Sequence, residues 1–200
     1  MLEFYRLLLD TNALAYLLGS YAWALDGIRV DIRHKYTGRT ADYLRPYAAT
    51  GRAVITRTVK EEMDRVLRRK FLGAHEAAGV VPTAWHSARD ALYEEFTRAY
   101  GGTIQPDLYG RMADVDAVYE TARAEYPDLV RRWYDNKIKS SQRPVMPPPL
   151  ADRIILSTAA GIADMAGPGR HAALLTFDSD FTYFADIIRE RLGVHIVSLL

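Results

Sequence analysis

Apolar runs in this chain stop repeatedly on acids. The run "LLL" (7–9) ends at Asp10, and "ALLTF" (173–177) ends at Asp178, with Asp180 two residues on. Glu62 follows "AVIT" (53–56) inside "TVKEEM", and Asp152 lies at the start of "LADRIILSTA", just after a run of prolines. Each acid has a local explanation. Asp10 and Asp178 suit the N-cap of a following helix, and Asp152 complements a helix dipole. Gathered in one place they need another, because carboxylates at one edge repel and such a cluster is normally held by a cation. Hard oxygen ligands favour Mg²⁺ or Mn²⁺ over zinc, and a site of carboxylates and water is the usual equipment for phosphoryl chemistry.

The elements that would gather them are strands and helices in alternation. "LLL", "AVIT", "ALLTF" and "VHIVS" (194–198) read as buried strands. Helical patterns lie between: 13–18, 58–71 with Val59, Met63, Val66 and Leu67 on one face, 150–166 and 179–192. That order predicts an α/β fold, a central parallel sheet with helices on both faces. In such sheets ligands bind at the carboxyl ends of the strands near the topological switch point, where these acids fall. Thr58-Val59-Lys60-Glu61 fits a capping box, which occupies Glu61 locally and leaves Glu62 for the site.

"LLLDTNAL", "TVKEEM", "LADRIILSTA" and "LLTFDSDF" resemble, in order, the four acidic motifs of the PIN-domain nucleases, the last two most in the style of VapC toxin ribonucleases. The resemblance covers about 1–73 and 147–200. It implies a three-layer α/β/α fold and Mg²⁺- or Mn²⁺-dependent hydrolysis of RNA, leaving a 5′-phosphate and a 3′-hydroxyl. Asp10, Glu62, Asp152 and Asp178 would be the catalytic acids, with Asp10, Asp152 and Asp178 holding metal. Asn12, Thr176 and Asp180 would support them. A toxin brings an antitoxin protein as partner, and a homodimer is compatible with it. An RNA-processing nuclease of the protein-only RNase P type is the alternative, as is a PIN-like module that binds RNA or a partner without cutting.

Residues 74–149 break the rhythm: helical stretches at 83–100 and about 111–139, no convincing strand, and the stiff connector "RPVMPPPL" (143–150). We read one domain, 1–200, with a helical insertion. Tyr93, Phe96 and Tyr100 form a stripe suited to core packing. Within "RRWYDNKIKSSQR" (131–143), Arg131, Arg132, Lys137 and Lys139 with Trp133 suit a single-stranded RNA, by phosphate neutralisation and stacking; a solvated helix face is the competing reading.

The totals exclude several classes. Two hundred residues without a cysteine preclude disulfides and thiol chemistry, and a formal net charge of +1 gives no overall field toward nucleic acid or membrane. The first residues lack a signal-peptide pattern and no segment is apolar enough to span a membrane, so a cytoplasmic protein is expected. "FDSDFT" (177–182) also spells the D-x-D-x-T motif of haloacid-dehalogenase-type phosphatases, with Asp178 as nucleophile, but only eighteen residues follow Thr182. The five histidines show no close metal-ligand spacing, and no phosphate-binding glycine loop or G-x-S-x-G occurs.

Overall fold

A computed structural model describes residues 4–18, 23–25, 28–30, 35–48, 50–78, 85–167 and 170–199. Five strands form one parallel sheet: β1 (Arg6–Leu9), β4 (Ala53–Thr56), β5 (Thr103–Gln105), β6 (Ala172–Leu175) and β7 (Val194–Val197), in the spatial order β5-β4-β1-β6-β7. The expected α/β architecture is therefore present. Apart from Thr56 at the end of β4, the buried positions of β1, β4 and β6 are apolar, as expected of strands covered on both faces. β2 (Trp23–Leu25) and β3 (Ile28–Val30) make a separate antiparallel pair.

The chain leaves β1 toward β4 and β5 on one side, and leaves β6 toward β7 on the other. Right-handed crossovers then place the two sets of connecting helices on opposite faces. Contacts agree: α1 (Thr11–Leu18) packs on α2 (Thr37–Leu44) and α3 (Arg57–Ala78), while α5 (Met112–Glu125) packs on α7 (Leu150–Ala166) and α9 (Ala185–Leu192). The gap between β1 and β6 is the switch point of the sheet.

Three expectations need correction. The stretch 74–149 does contribute a strand: β5 pairs in parallel with β4, Ile55 opposite Ile104. Three residues with two exposed side chains carry too little apolar pattern to be read in advance. The helical stretch 179–192 is two helices, α8 (Ser179–Thr182) and α9, separated by a turn at Tyr183 and Phe184. Finally, 111–139 divides into α5 and α6 (Pro127–Lys139), because Pro127 cannot donate to a continuing helix and starts a new one. Ahead of both, α4 (Trp85–Tyr100) buries Tyr93, Phe96 and Tyr100, as its spacing predicts.

The interrupting segment is tied to the core through its backbone. Leu108 N donates to Thr158 Oγ1 (2.9 Å), and Leu108 O accepts from Ser157 Oγ (2.7 Å). A side chain at Gly161 would meet Leu108 at 2.9 Å, so α7 presents small residues here to let that loop lie close.

Candidate active site

Asp10 follows β1 directly and its backbone N–H donates to Leu175 O of β6 (3.1 Å), which puts it at the switch point. It caps α1 as well: Oδ1 accepts from Ala13 N (2.6 Å). Oδ2 accepts from the Thr176 hydroxyl, and that oxygen in turn accepts from Asp178 N (3.0 Å). Thr176, fully buried, thus links the acid that follows β1 to the acid that precedes α8. Asp178 caps the short helix α8, accepting from Asp180 N (2.8 Å).

Asp152 sits in the first turn of α7 and Glu62 in the second turn of α3. Both face a cleft of about 300 Å³ that Asp10, Asn12 and Asp178 also line. Glu62 Oε2 accepts from the Thr11 hydroxyl (2.6 Å), tying α3 to the start of α1. All four predicted acids therefore border one cleft.

The charge of this cluster shows in its protonation. Burial, then the neighbouring Asp178, push Asp10 up to about 7 against hydrogen bonds from Thr176 and Ala13. Burial and the carboxylates of Asp178, Asp180, Glu62 and Asp10 push Asp152 up to about 8. The ammonium of Lys137 offsets part of the rest. Lys137 Nζ lies 3.1 Å from Asp178 Oδ1 and 2.8 Å from Asp180 Oδ1. Burial pulls that lysine down, but the two carboxylates outweigh it and hold it above its ordinary value.

Lys137 and Trp133 correct the sequence reading of α6. Trp133 is 2% exposed and donates from Nε1 to Asp180 Oδ1 (2.8 Å); Lys137 is 5% exposed. Both face inward at i and i+4, so neither offers a surface for base stacking or phosphate contact. Arg132 and Lys139 remain exposed, and exposed Arg131 pairs with Asp128 (3.1 Å). Asp180 is buried, raised by burial and Asp178, and is bonded to Trp133 and Lys137; it is not among the residues lining the cleft.

The capping box at Thr58 is also replaced. Thr56 caps α3 by accepting from Val59 N (3.1 Å), and Thr58 instead meets Asp107 through both N–H (3.1 Å) and hydroxyl (2.9 Å). Glu61 is exposed and pairs with Arg57 (2.9 Å), away from the cleft. Two residues that sequence reasoning missed, Arg65 and Arg69, line the cleft beside Glu62. Their signal was present: Glu62, Arg65 and Arg69 at i, i+3 and i+7 share a helix face.

Among the described residues, no group of three acids or histidines stands in ion-holding geometry. The donor chemistry of the four carboxylates, two of them pushed toward neutrality by burial and then by their acidic neighbours, nevertheless suits a hard divalent cation. The side chains would have to draw together around it. Among the described residues no helix is long and apolar enough to cross a membrane.

No protein-family model matches the sequence, and neither does any curated protein. Among solved structures, the fold is similar to a chain in the crystal structure of VapBC2 from Rickettsia felis bound to a DNA fragment from their promoter. The TM-score is 0.46 at 12% identity, over 96% of this chain and 97% of that one. A likeness of that degree decides neither family nor chemistry, which have to come from the residues of the site.

Proposed function

We propose that this protein is an Mg²⁺- or Mn²⁺-dependent endoribonuclease. The observation that carries it is the convergence of Asp10, Glu62, Asp152 and Asp178 on one cleft at the β1–β6 switch point, with Arg65 and Arg69 along the same wall. Acids beside arginines in a polar cleft suit a substrate that is itself anionic and needs a cation to approach carboxylates. The resemblance of four ordered sequence motifs to PIN-domain nucleases supports the same reading.

Asp10, Asp152 and Asp178 would hold the cation, which when bound neutralises charge on the scissile phosphate and activates water. Thr176 fixes the Asp10 carboxylate and so one side of the site. Glu62, steadied by Thr11, completes the shell or orients the attacking water. Arg65 and Arg69 hold phosphates of the bound strand. The products are a 5′-phosphate and a 3′-hydroxyl. A toxin role, with an antitoxin protein as partner, follows from the VapC style of the last two motifs.

One observation favours a second reading, a module that binds RNA without cutting it. Lys137 already lies against Asp178 and Asp180, where it supplies positive charge without a metal. A cleavage assay on single-stranded RNA with Mn²⁺, and with a chelator in its place, separates the two. Cleavage lost with chelator and with Asp152→Asn supports the nuclease; RNA binding without cleavage in Mn²⁺ supports the module. Because Asp152 is crowded by like charges, Asp152→Asn should keep or raise the metal-free melting temperature. A large loss of metal-free stability would return Asp152 to a helix-dipole role.

A further inference from the structure

A second pocket, of about 370 Å³, adjoins the acidic cleft and shares Asn12 and Asp178 with it. Its chemistry is different. One wall is built by the end of α6 and the turn after it, through Asn136, Ser140 and Gln142. The other presents the rings of Tyr16, Phe177 and Tyr183. Apart from Asp178 at the shared border, its lining carries neutral amides, hydroxyls and aromatic faces.

Both walls are held in place. Phe177 stacks on Tyr36 with ring centroids 5.1 Å apart and meets Tyr16 edge-on at 4.8 Å. On the opposite side α6 closes with Gln142 N donating to Lys137 O (2.8 Å) and Ser141 N donating to Ile138 O (3.0 Å). This double closure places Ser141 at φ 55°, a left-handed conformation that a side chain rarely adopts outside such caps. These are main-chain bonds, and they leave the Ser140 and Gln142 side chains to line the pocket. Lys137 anchors the same turn to the acids through Asp178 and Asp180.

We propose that this pocket is a nucleobase subsite, which receives the base of a nucleotide whose phosphate lies at the acidic cleft. The inference rests on the ribonuclease reading for the identity of its ligand. Amide groups offer a donor and an acceptor together, as a base edge requires, and the aromatic wall of Tyr16, Phe177 and Tyr183 offers apolar surface beside a planar ring. A phosphate would find no cation among the described lining residues, and a purely apolar ligand would leave the amides unused. The volume is in the range of small-ligand pockets.

The test uses AMP, GMP, CMP and UMP, with ribose 5-phosphate as the probe lacking a base, each titrated into the full chain in Mg²⁺, which lets a phosphate approach the acids; none of the five has an internucleotide bond to cleave. At least one nucleotide should bind tenfold or more tightly than ribose 5-phosphate. The pair Asn136→Ala and Gln142→Ala should erase that difference while leaving ribose 5-phosphate binding and the melting curve unchanged. Equal binding of all five probes, no binding of any, or a preference untouched by the two substitutions overturns the subsite. Because no cleavage is measured, a base preference without nuclease activity sinks the catalytic reading alone. Cleavage without a base preference sinks the subsite alone.

Discussion

Glu61 and Glu62 are neighbours with different surroundings, and a one-residue step along a helix turns a side chain by about 100°. Glu61 is exposed beside Arg57, an i,i+4 pair worth about 0.3–0.5 kcal/mol. Glu62 faces the cleft and holds the Thr11 hydroxyl. Glu61→Gln should leave both RNA cleavage and the melting curve nearly unchanged. Glu62→Gln should slow cleavage at saturating Mn²⁺ at least about a hundredfold, some 2.7 kcal/mol of barrier, with little change in stability. The reverse outcome would mean that the wall of the cleft is turned by one residue. Asp10 shows the other side of the same scale. Its cap to Ala13, its bond from Thr176 and the Phe177 main chain hold the carboxylate in place, and of the roughly four acceptor sites on its two oxygens some capacity is left for a ligand.

At the scale of elements, α6 does two things that its composition blended together. Trp133 and Lys137 turn inward to Asp180 and Asp178, while Arg132 and Lys139 flank Asn136 at i and i+7 on another face. Arg131 lies about 100° away and already pairs with Asp128. If RNA leaves the nucleobase pocket along α6, Arg132→Ser with Lys139→Ser should flatten the salt dependence of RNA binding. The expected drop is roughly 0.7 in slope per lost phosphate contact on single strands. Arg131→Ser should leave the slope as it is. A slope unchanged by the double variant, measured by titration across a salt series, would make that face a solvated one.

For the whole molecule the acid cluster sets a pH dependence. Asp10 and Asp152 are raised from 3.8 to about 7 and about 8 in the folded chain, so between pH 4 and 8 the native state binds more protons than the unfolded one. Stability contributed by their protonated forms is therefore lost as pH rises through that window. In chelator, the melting temperature should be lower at pH 8 than at pH 5.5 by at least about 4 °C, an effect of order 1–2 kcal/mol in a chain of this size. Asp152→Asn should flatten the fall. Mg²⁺ or Mn²⁺ should oppose it, and more strongly at higher pH, because a ligand of the ionised native site stabilises by mass action. A melting temperature independent of pH, with and without metal, would show that the acids do not interact as the fold places them.

By itself, the sequence determined the strand–helix alternation, since buried strands are near-continuous apolar runs and amphipathic helices repeat their faces. It also marked the acids that follow apolar runs as candidates for one sheet edge, whereas the pairing of β1 with β6, which brings Asp10 toward Asp178, belongs to the tertiary structure. Tertiary structure alone decided the rest. β5 is a strand only because β4 offers an edge to pair with; its own three residues have no decisive pattern. Thr58 leaves its expected capping box because Asp107, 49 residues away, accepts its N–H and hydroxyl, and Thr56 takes over the cap. Lys137 and Trp133 looked like a nucleic-acid face because local charge and aromaticity do not reveal which way a helix is turned. Their partners, Asp178 and Asp180, lie some forty residues further along the chain, and only the packing of α6 against that segment brings them together.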